Sequence, residues 1–130
     1  MKNTRYQLVL VSITAQHLWM CAHARQVYST AVTTGAVAKH DATPTGTFHV
    51  QGRNRDTTLL QDDGSQYHVK YWIPFQAPLF GFHDAPWQHF PYGSAEYRSE
   101  GSHGCVHLPA RAIAFLYHWV EIGATVVIRA

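Results

Sequence analysis

Gly101-Ser102-His103-Gly104-Cys105-Val106-His107-Leu108 sets a cysteine between a glycine and a small strand-forming residue, just ahead of a helical pattern. Glycine beside a nucleophile lets a substrate approach the backbone closely. It also allows successive N–H groups to point at one spot, as an oxyanion hole requires. A thiol becomes reactive at neutral pH beside a base or a positive charge. Four histidines are candidates for that base: His83, His89, His103 and His107. Spacing alone does not choose among them. If residues 103–107 are extended, His103, Cys105 and His107 share one face and flank the thiol. A base from a separate strand, His83, approaches the sulfur more freely.

Downstream of this stretch, Pro109 to Val120 carries the one clear helical pattern. Pro109 suits the first helical position. Ile113, Leu116, Tyr117 and Val120 fall at i, i+3, i+4 and i+7 on one apolar face, which leaves His118 opposite. Gly123 can end the helix, and Ala124 to Arg129 reads as a final strand. Upstream, Asp84 to Gly101 has no period of two or 3.6 and contains Pro86, Pro91 and Gly93. Loops of this length in a compact domain are functional or disordered. Trp87, Phe90, Tyr92 and Tyr97 are foreign to a disordered linker, so the segment reads as an ordered lid.

The rest of the chain reads as β. Leu79 to His83 and Tyr67 to Ile73 are strand candidates. Gly52 to Ser65 is polar, with Asp63-Gly64 at its tip, and reads as a hairpin or an exposed loop. Ala42-Thr43-Pro44-Thr45-Gly46-Thr47-Phe48 is a turn that leads into a short strand through Val50. Tyr6 to Ile13, Gln16 to Met20 and Gln26 to Thr33 have the β-branched and aromatic composition of strands. The expected fold is mostly β, with one short helix in the C-terminal half and a long loop beside the cysteine.

The 130 residues suit a single domain over 1–130. Apolar residues make up 46%, enough for a core, and the formal charge is only +2 without a basic run. That argues against a nucleic-acid partner. The two cysteines, Cys21 and Cys105, form no disulfide framework and read as free thiols, with Cys21 a core residue. Met1, Lys2 and Arg5 ahead of Leu8 to Val11 faintly mimic a signal peptide, but the apolar stretch is too short. No stretch approaches the ~20 apolar residues of a membrane span. An exported protein would carry its signal or anchor outside this chain.

Three motifs in order resemble the L,D-transpeptidase family of the YkuD type. Ser102-His103-Gly104-Cys105 is similar to its S/T-H-G-C signature, and Phe82-His83-Asp84-Ala85-Pro86-Trp87 to its upstream histidine motif. Thr43-Pro44-Thr45-Gly46-Thr47-Phe48 matches its T-P-x-G-x-F turn. The resemblance runs from about Tyr6 onward and includes the closing strand. It implies a β-sandwich of mixed sheets and a cysteine acyltransferase of the bacterial wall. Cys105 is then the nucleophile, His83 the general base, and Asp84 the group that orients the imidazole through its carbonyl or carboxylate. The amides of Gly104 and Cys105 hold the oxyanion. Trp87, Tyr92, Ser102, His103 and His107 contact substrate. The implied reaction joins peptidoglycan stem peptides in 3→3 cross-links through a thioester on Cys105, with release of D-alanine. Carbapenem β-lactams are the implied inhibitors, the implied location is outside the cytoplasm, and neither cofactor nor metal is implied. The expected state is a monomer.

Two departures stand out. The family often carries Arg or Asn two residues after the cysteine, where this chain has His107. A charge contact with a substrate carboxylate there requires a protonated His107. The interval from His83 to Ser102 is also slightly longer than the common family spacing. Three other readings compete. Water as acceptor would make the same site an L,D-carboxypeptidase. His83, His103, Cys105 and His107 offer metal-binding atoms, though their spacings match no common zinc motif. The aromatics Trp87, Phe90 and Tyr92 could serve a non-catalytic wall-binding module, which would need no nucleophile.

Overall fold

Alternating side chains build the first sheet. Strand β1 (Gln7–Ser12) turns Val9 and Val11 inward, β2 (His17–Ala22) turns Leu18 and Met20 inward, and β9 (Thr125–Arg129) does so with Val126 and Ile128. This is the period of two that a pleated strand imposes. β1 pairs antiparallel with β2 and parallel with β9, so the two ends of the chain share one sheet. β3 (Arg25–Ala31) and β4 (Gly46–His49) form its edges, in the order β3-β2-β1-β9-β4. The alternation that buries Leu18 and Met20 sends Cys21 to the other face. It is therefore half-buried rather than a core residue, and both cysteines are free thiols. The computed structural model describes residues 6–61 and 63–130, so Met1, Lys2 and Arg5 lie outside the described residues.

The second sheet holds β5 (Asn54–Leu60), β6 (Gln66–Gln76), β7 (Phe80–Asp84) and β8 (Val106–Leu108), in chain order across the sheet. The polar segment before Ser65 is thus one arm of a hairpin. It looks polar because β5 is an edge strand, with most of its side chains exposed. At the hairpin tip Gly64 adopts φ +87°, and its N–H donates to the Gln61 carbonyl at 3.0 Å. β6 runs past Ile73 through Pro74. The register shifts between Pro74 and Gln76, which accommodates a residue without an N–H.

The helix α2 (Ala110–Trp119) lays Ala112, Ile113 and Leu116 onto a core that includes Ile73, Phe75, Phe82, Val106 and Leu108. Removing such a side chain, as in Leu116→Ala, costs about 2–5 kcal/mol. Pro109 stands one residue earlier than the pattern suggests: it caps the helix, and its carbonyl accepts from the Ile113 N–H at 3.0 Å. Gly123 lies beyond the helix end, in a turn with φ +98°. Tyr117 is only half-buried, packed on Tyr71 at 4.8 Å with the Arg53 guanidinium over its ring.

The lid between β7 and β8 is ordered. Phe90 and Tyr97 are buried, and the Gly93 N–H donates to the Val32 carbonyl at 3.0 Å. One further helix, the single turn α1 (Tyr97–Glu100), lies within it. Four residues are too few to show a helical period, which is why the segment reads as loop throughout. Among the described residues no helix is long and apolar enough to cross a membrane.

Candidate active site

β7 and β8 run parallel with His83 opposite His107. In-register neighbours project to the same face, and the two rings lie 4.7 Å apart. The chain reaches β8 directly from Cys105, so thiol and imidazole open on one cavity, of about 190 Å³. His83 Nδ1–H donates to the Asp84 carbonyl at 2.7 Å. A carbonyl can only accept, so this bond fixes the proton on Nδ1 and leaves Nε2 with a lone pair. No buried side-chain nitrogen or oxygen lacks a partner among the described residues, so His83 Nε2 must reach the cavity. The Asp84 carboxylate is engaged elsewhere, accepting from the backbone N–H groups of Lys70 and Tyr71 at 3.0 Å. Of the two orienting groups that the sequence offers at Asp84, the carbonyl holds the ring.

Cys105 is buried against Leu59, Val69 and Trp72. Its thiol donates to the Leu79 carbonyl at 3.3 Å. Burial pushes the thiol pKa up to about 12, and a hydrogen bond from the Gly81 backbone opposes the rise. Burial also pushes His83 down to about 4, against the opposing pull of the Asp84 carbonyl and carboxylate. The resting pair is therefore a neutral thiol and a neutral imidazole. A neutral thiol that attacks a carbonyl has to give up its proton as the new bond forms.

The loop before Cys105 is held by its own hydroxyls. Ser102 Oγ accepts from the Gly104 N–H at 3.0 Å and donates to the Cys105 carbonyl. Thr43 Oγ1 accepts from the Gly35 N–H at 2.9 Å and donates to the Gly104 carbonyl at 2.8 Å. Two expectations change. The Gly104 amide is occupied by Ser102, so it is not free for an oxyanion. The Ser102 hydroxyl shapes the loop, although its residue lines the cavity. The Cys105 amide has no acceptor among the described residues. Gly104 has φ +129°, and a Cβ there would lie 2.3 Å from Phe80 Cε1. Only glycine fits that conformation and that gap.

A family model for the L,D-transpeptidase catalytic domain, YkuD, matches residues 6–128. The chain belongs to this L,D-transpeptidase catalytic-domain family. It is similar to a crystal structure of an Enterococcus faecium L,D-transpeptidase mutant, at 29% identity and TM-score 0.87 over 96% of this chain. That match covers 50% of the other chain, so this chain spans about half its length. The catalytic domain of E. faecium L,D-transpeptidase acylated by ertapenem is 30% identical, with TM-score 0.81, over 98% of this chain and 100% of that one. An L,D-transpeptidase from Mycobacterium smegmatis shares the fold at 19% identity and TM-score 0.84, covering 96% of this chain and 59% of the other. No curated protein matches.

Within this L,D-transpeptidase domain the lid completes the cavity. Trp87 is 40% exposed and stands 4.8 Å from Tyr67 on β6, with the rings of His83 and His107 at 6.0 and 5.8 Å. His103 and His89 also line the cavity. Tyr92 does not: its hydroxyl faces Asp84 and Ala85 at the root of the lid, and burial raises its pKa. His107 is buried, and burial next to His83 and His103 holds its pKa well below the usual imidazole value. It is neutral at pH 7, so it offers no cation to a substrate carboxylate. Its Nδ1 meets Gln88 Oε1 at 3.2 Å, a lid contact for which the sequence held no signal. Among the described residues no three His, Cys, Asp or Glu side chains form a metal-holding group.

Proposed function

We propose that this domain catalyses acyl transfer on peptidoglycan stem peptides, with Cys105 as nucleophile and His83 as general base. The observation that carries the reading is the His83 Nδ1–H bond to the Asp84 carbonyl, which presents a lone pair to the cavity that also holds Cys105. Cys105 Sγ attacks the carbonyl that joins the third stem residue to the terminal D-alanine. Its proton passes to His83 Nε2, and the oxyanion rests against the Cys105 amide. As the C–N bond breaks, His83 returns that proton to the leaving D-alanine amine, and a thioester remains on Cys105. An amine from a neighbouring stem then attacks the thioester and gives up a proton through His83, and the thiol is restored. The product is a 3→3 cross-link.

Trp87 and His103, at the cavity wall, fit contact with the donor stem. A second cavity of about 380 Å³ also reaches Cys105 and His103, which leaves room for an acceptor on the other side of the sulfur. A location outside the cytoplasm follows from the substrate. The ertapenem adduct of the E. faecium domain supports carbapenems as acylating inhibitors of this one. The test is incubation with a disaccharide tetrapeptide and mass spectrometry of the products. Released D-alanine with a cross-linked dimer supports the transpeptidase. D-alanine with tripeptide alone assigns water as the acceptor. No D-alanine from folded, reduced protein contradicts both.

A further inference from the structure

Gln88 lies where the lid meets β8, and its three side-chain contacts define one another. Its Nε2 donates to Thr33 Oγ1 at 2.9 Å and to the Phe90 carbonyl at 3.1 Å. The Phe90 carbonyl can only accept, so the amide nitrogen must face it, and Oε1 is left towards His107. Oε1 can only accept in turn, so the proton of a neutral His107 sits on Nδ1. Thr33 closes the set: its N–H and carbonyl exchange hydrogen bonds with the carbonyl and N–H of His107. The ring of His107 is thereby fixed at backbone and side chain, 4.7 Å from the ring of His83.

We propose that Gln88 is a positioning residue that holds His107 as a neutral Nδ1–H imidazole beside His83, so that no second positive charge opposes the one His83 acquires with the proton from Cys105. The inference rests on the acyl-transfer reading above. A charged ring at this separation would oppose the positive charge that His83 acquires when it takes the proton. The groups around His107 add no counter-charge. His83 faces it from β7 and His103 from the loop before β8, both raising the cost of charging it. Trp87 and Gln88 face it from the lid and Thr33 from the segment after β3, and none of these is charged. Glu100 is the only carboxylate lining the cavity among the described residues, and it stands 3.8 Å from the Lys39 ammonium. The Asp84 carboxylate is bonded to the β6 backbone.

The test has two arms. In the first, ¹⁵N spectra of histidine-labelled protein read the His107 ring. The proposal predicts a proton on Nδ1, a bare Nε2 and no titration from pH 8 down to 5. A proton on Nε2, or titration within that range, overturns it. In the second arm the rate of acylation by a carbapenem is followed against pH in Gln88→Glu and Gln88→Leu. Both variants lose the donors to Thr33 and Phe90, but only Gln88→Glu places a carboxylate on His107 Nδ1. The carboxylate favours the charged ring, so Gln88→Glu gains an inflection near neutrality below which acylation falls about tenfold, the equivalent of one pKa unit of interaction. Gln88→Leu keeps the shape of the wild-type profile. Adding His107→Asn to Gln88→Glu removes the inflection. Parallel profiles in Gln88→Glu and Gln88→Leu overturn the proposal. Failure of the wild type to acylate contradicts the acyl-transfer reading instead, and the ¹⁵N arm still decides the role of Gln88.

Discussion

The two sides of the cavity are held in different ways. On the strand side, β7 and β8 fix His83 and His107 in register through their backbones, and the Asp84 carbonyl orients the His83 ring. On the loop side, hydroxyl and amide side chains do the holding: Ser102 and Thr43 under Gly104, Gln88 under the lid. Backbone bonds survive substitution of the residues that make them, whereas side-chain bonds do not. The strand side should therefore tolerate changes in everything but the reacting groups themselves. The loop side should respond in graded fashion to the residues that shape it.

Replacing His83 with Asn is the sharpest way to probe the strand side. It removes the proposed base without removing the strand, so acylation should slow by about 10²–10⁴ while the melting temperature changes little. A rate close to wild type would move the base to another residue. On the loop side Gly104→Ala should be next. Its Cβ meets Phe80 and its φ is positive, so a loss of roughly 2–4 kcal/mol is expected by denaturant titration, together with loss of acylation.

pH separates the two sides by a different route. His83 and His107 are both buried neutral, with pKa values lowered from 6.5. The unfolded chain takes up protons below about 6.5, whereas folded His83 does so only near pH 4. Stability should thus be full above 6.5 and fall by about 1.4 kcal/mol per pH unit for each histidine as pH drops through that window. Chemical denaturation between pH 7 and 5 measures this slope. His107→Asn should halve it if the two rings contribute alike. The smallest expected effect is Thr43→Val, which strands the Gly35 N–H and the Gly104 carbonyl. It should cost about 1–3 kcal/mol and slow acylation without abolishing it. Unchanged acylation would show that the loop keeps its shape without that bridge.

What could be read in the sequence divides along the same line. The alternation of Val9 and Val11, and of Val126 and Ile128, announces strands because a period of two survives in the residues alone. The motifs around His83 and Cys105 drew attention to two residues that β7 and the loop bring to one cavity. The fold and family were legible for these reasons. Thr43 was legible only as part of a turn, since its partner Gly104 is 61 residues away. The engagement of the Gly104 amide by Ser102 depends on a local backbone path that composition does not encode. Tyr92 shares its aromatic character with Trp87, yet one faces the root of the lid and the other the cavity. Gln88 looked like any loop glutamine, because its importance lies in three partners drawn from three separate segments.

The proposed mechanism depends most on Cys105 as an acyl-accepting thiol. Intact mass after mixing the reduced protein with a carbapenem, alongside Cys105→Ala, tests that most directly. One adduct of the drug's mass is expected in the wild type and none in Cys105→Ala. An adduct that persists without Cys105, or no adduct on folded wild-type protein, would contradict it.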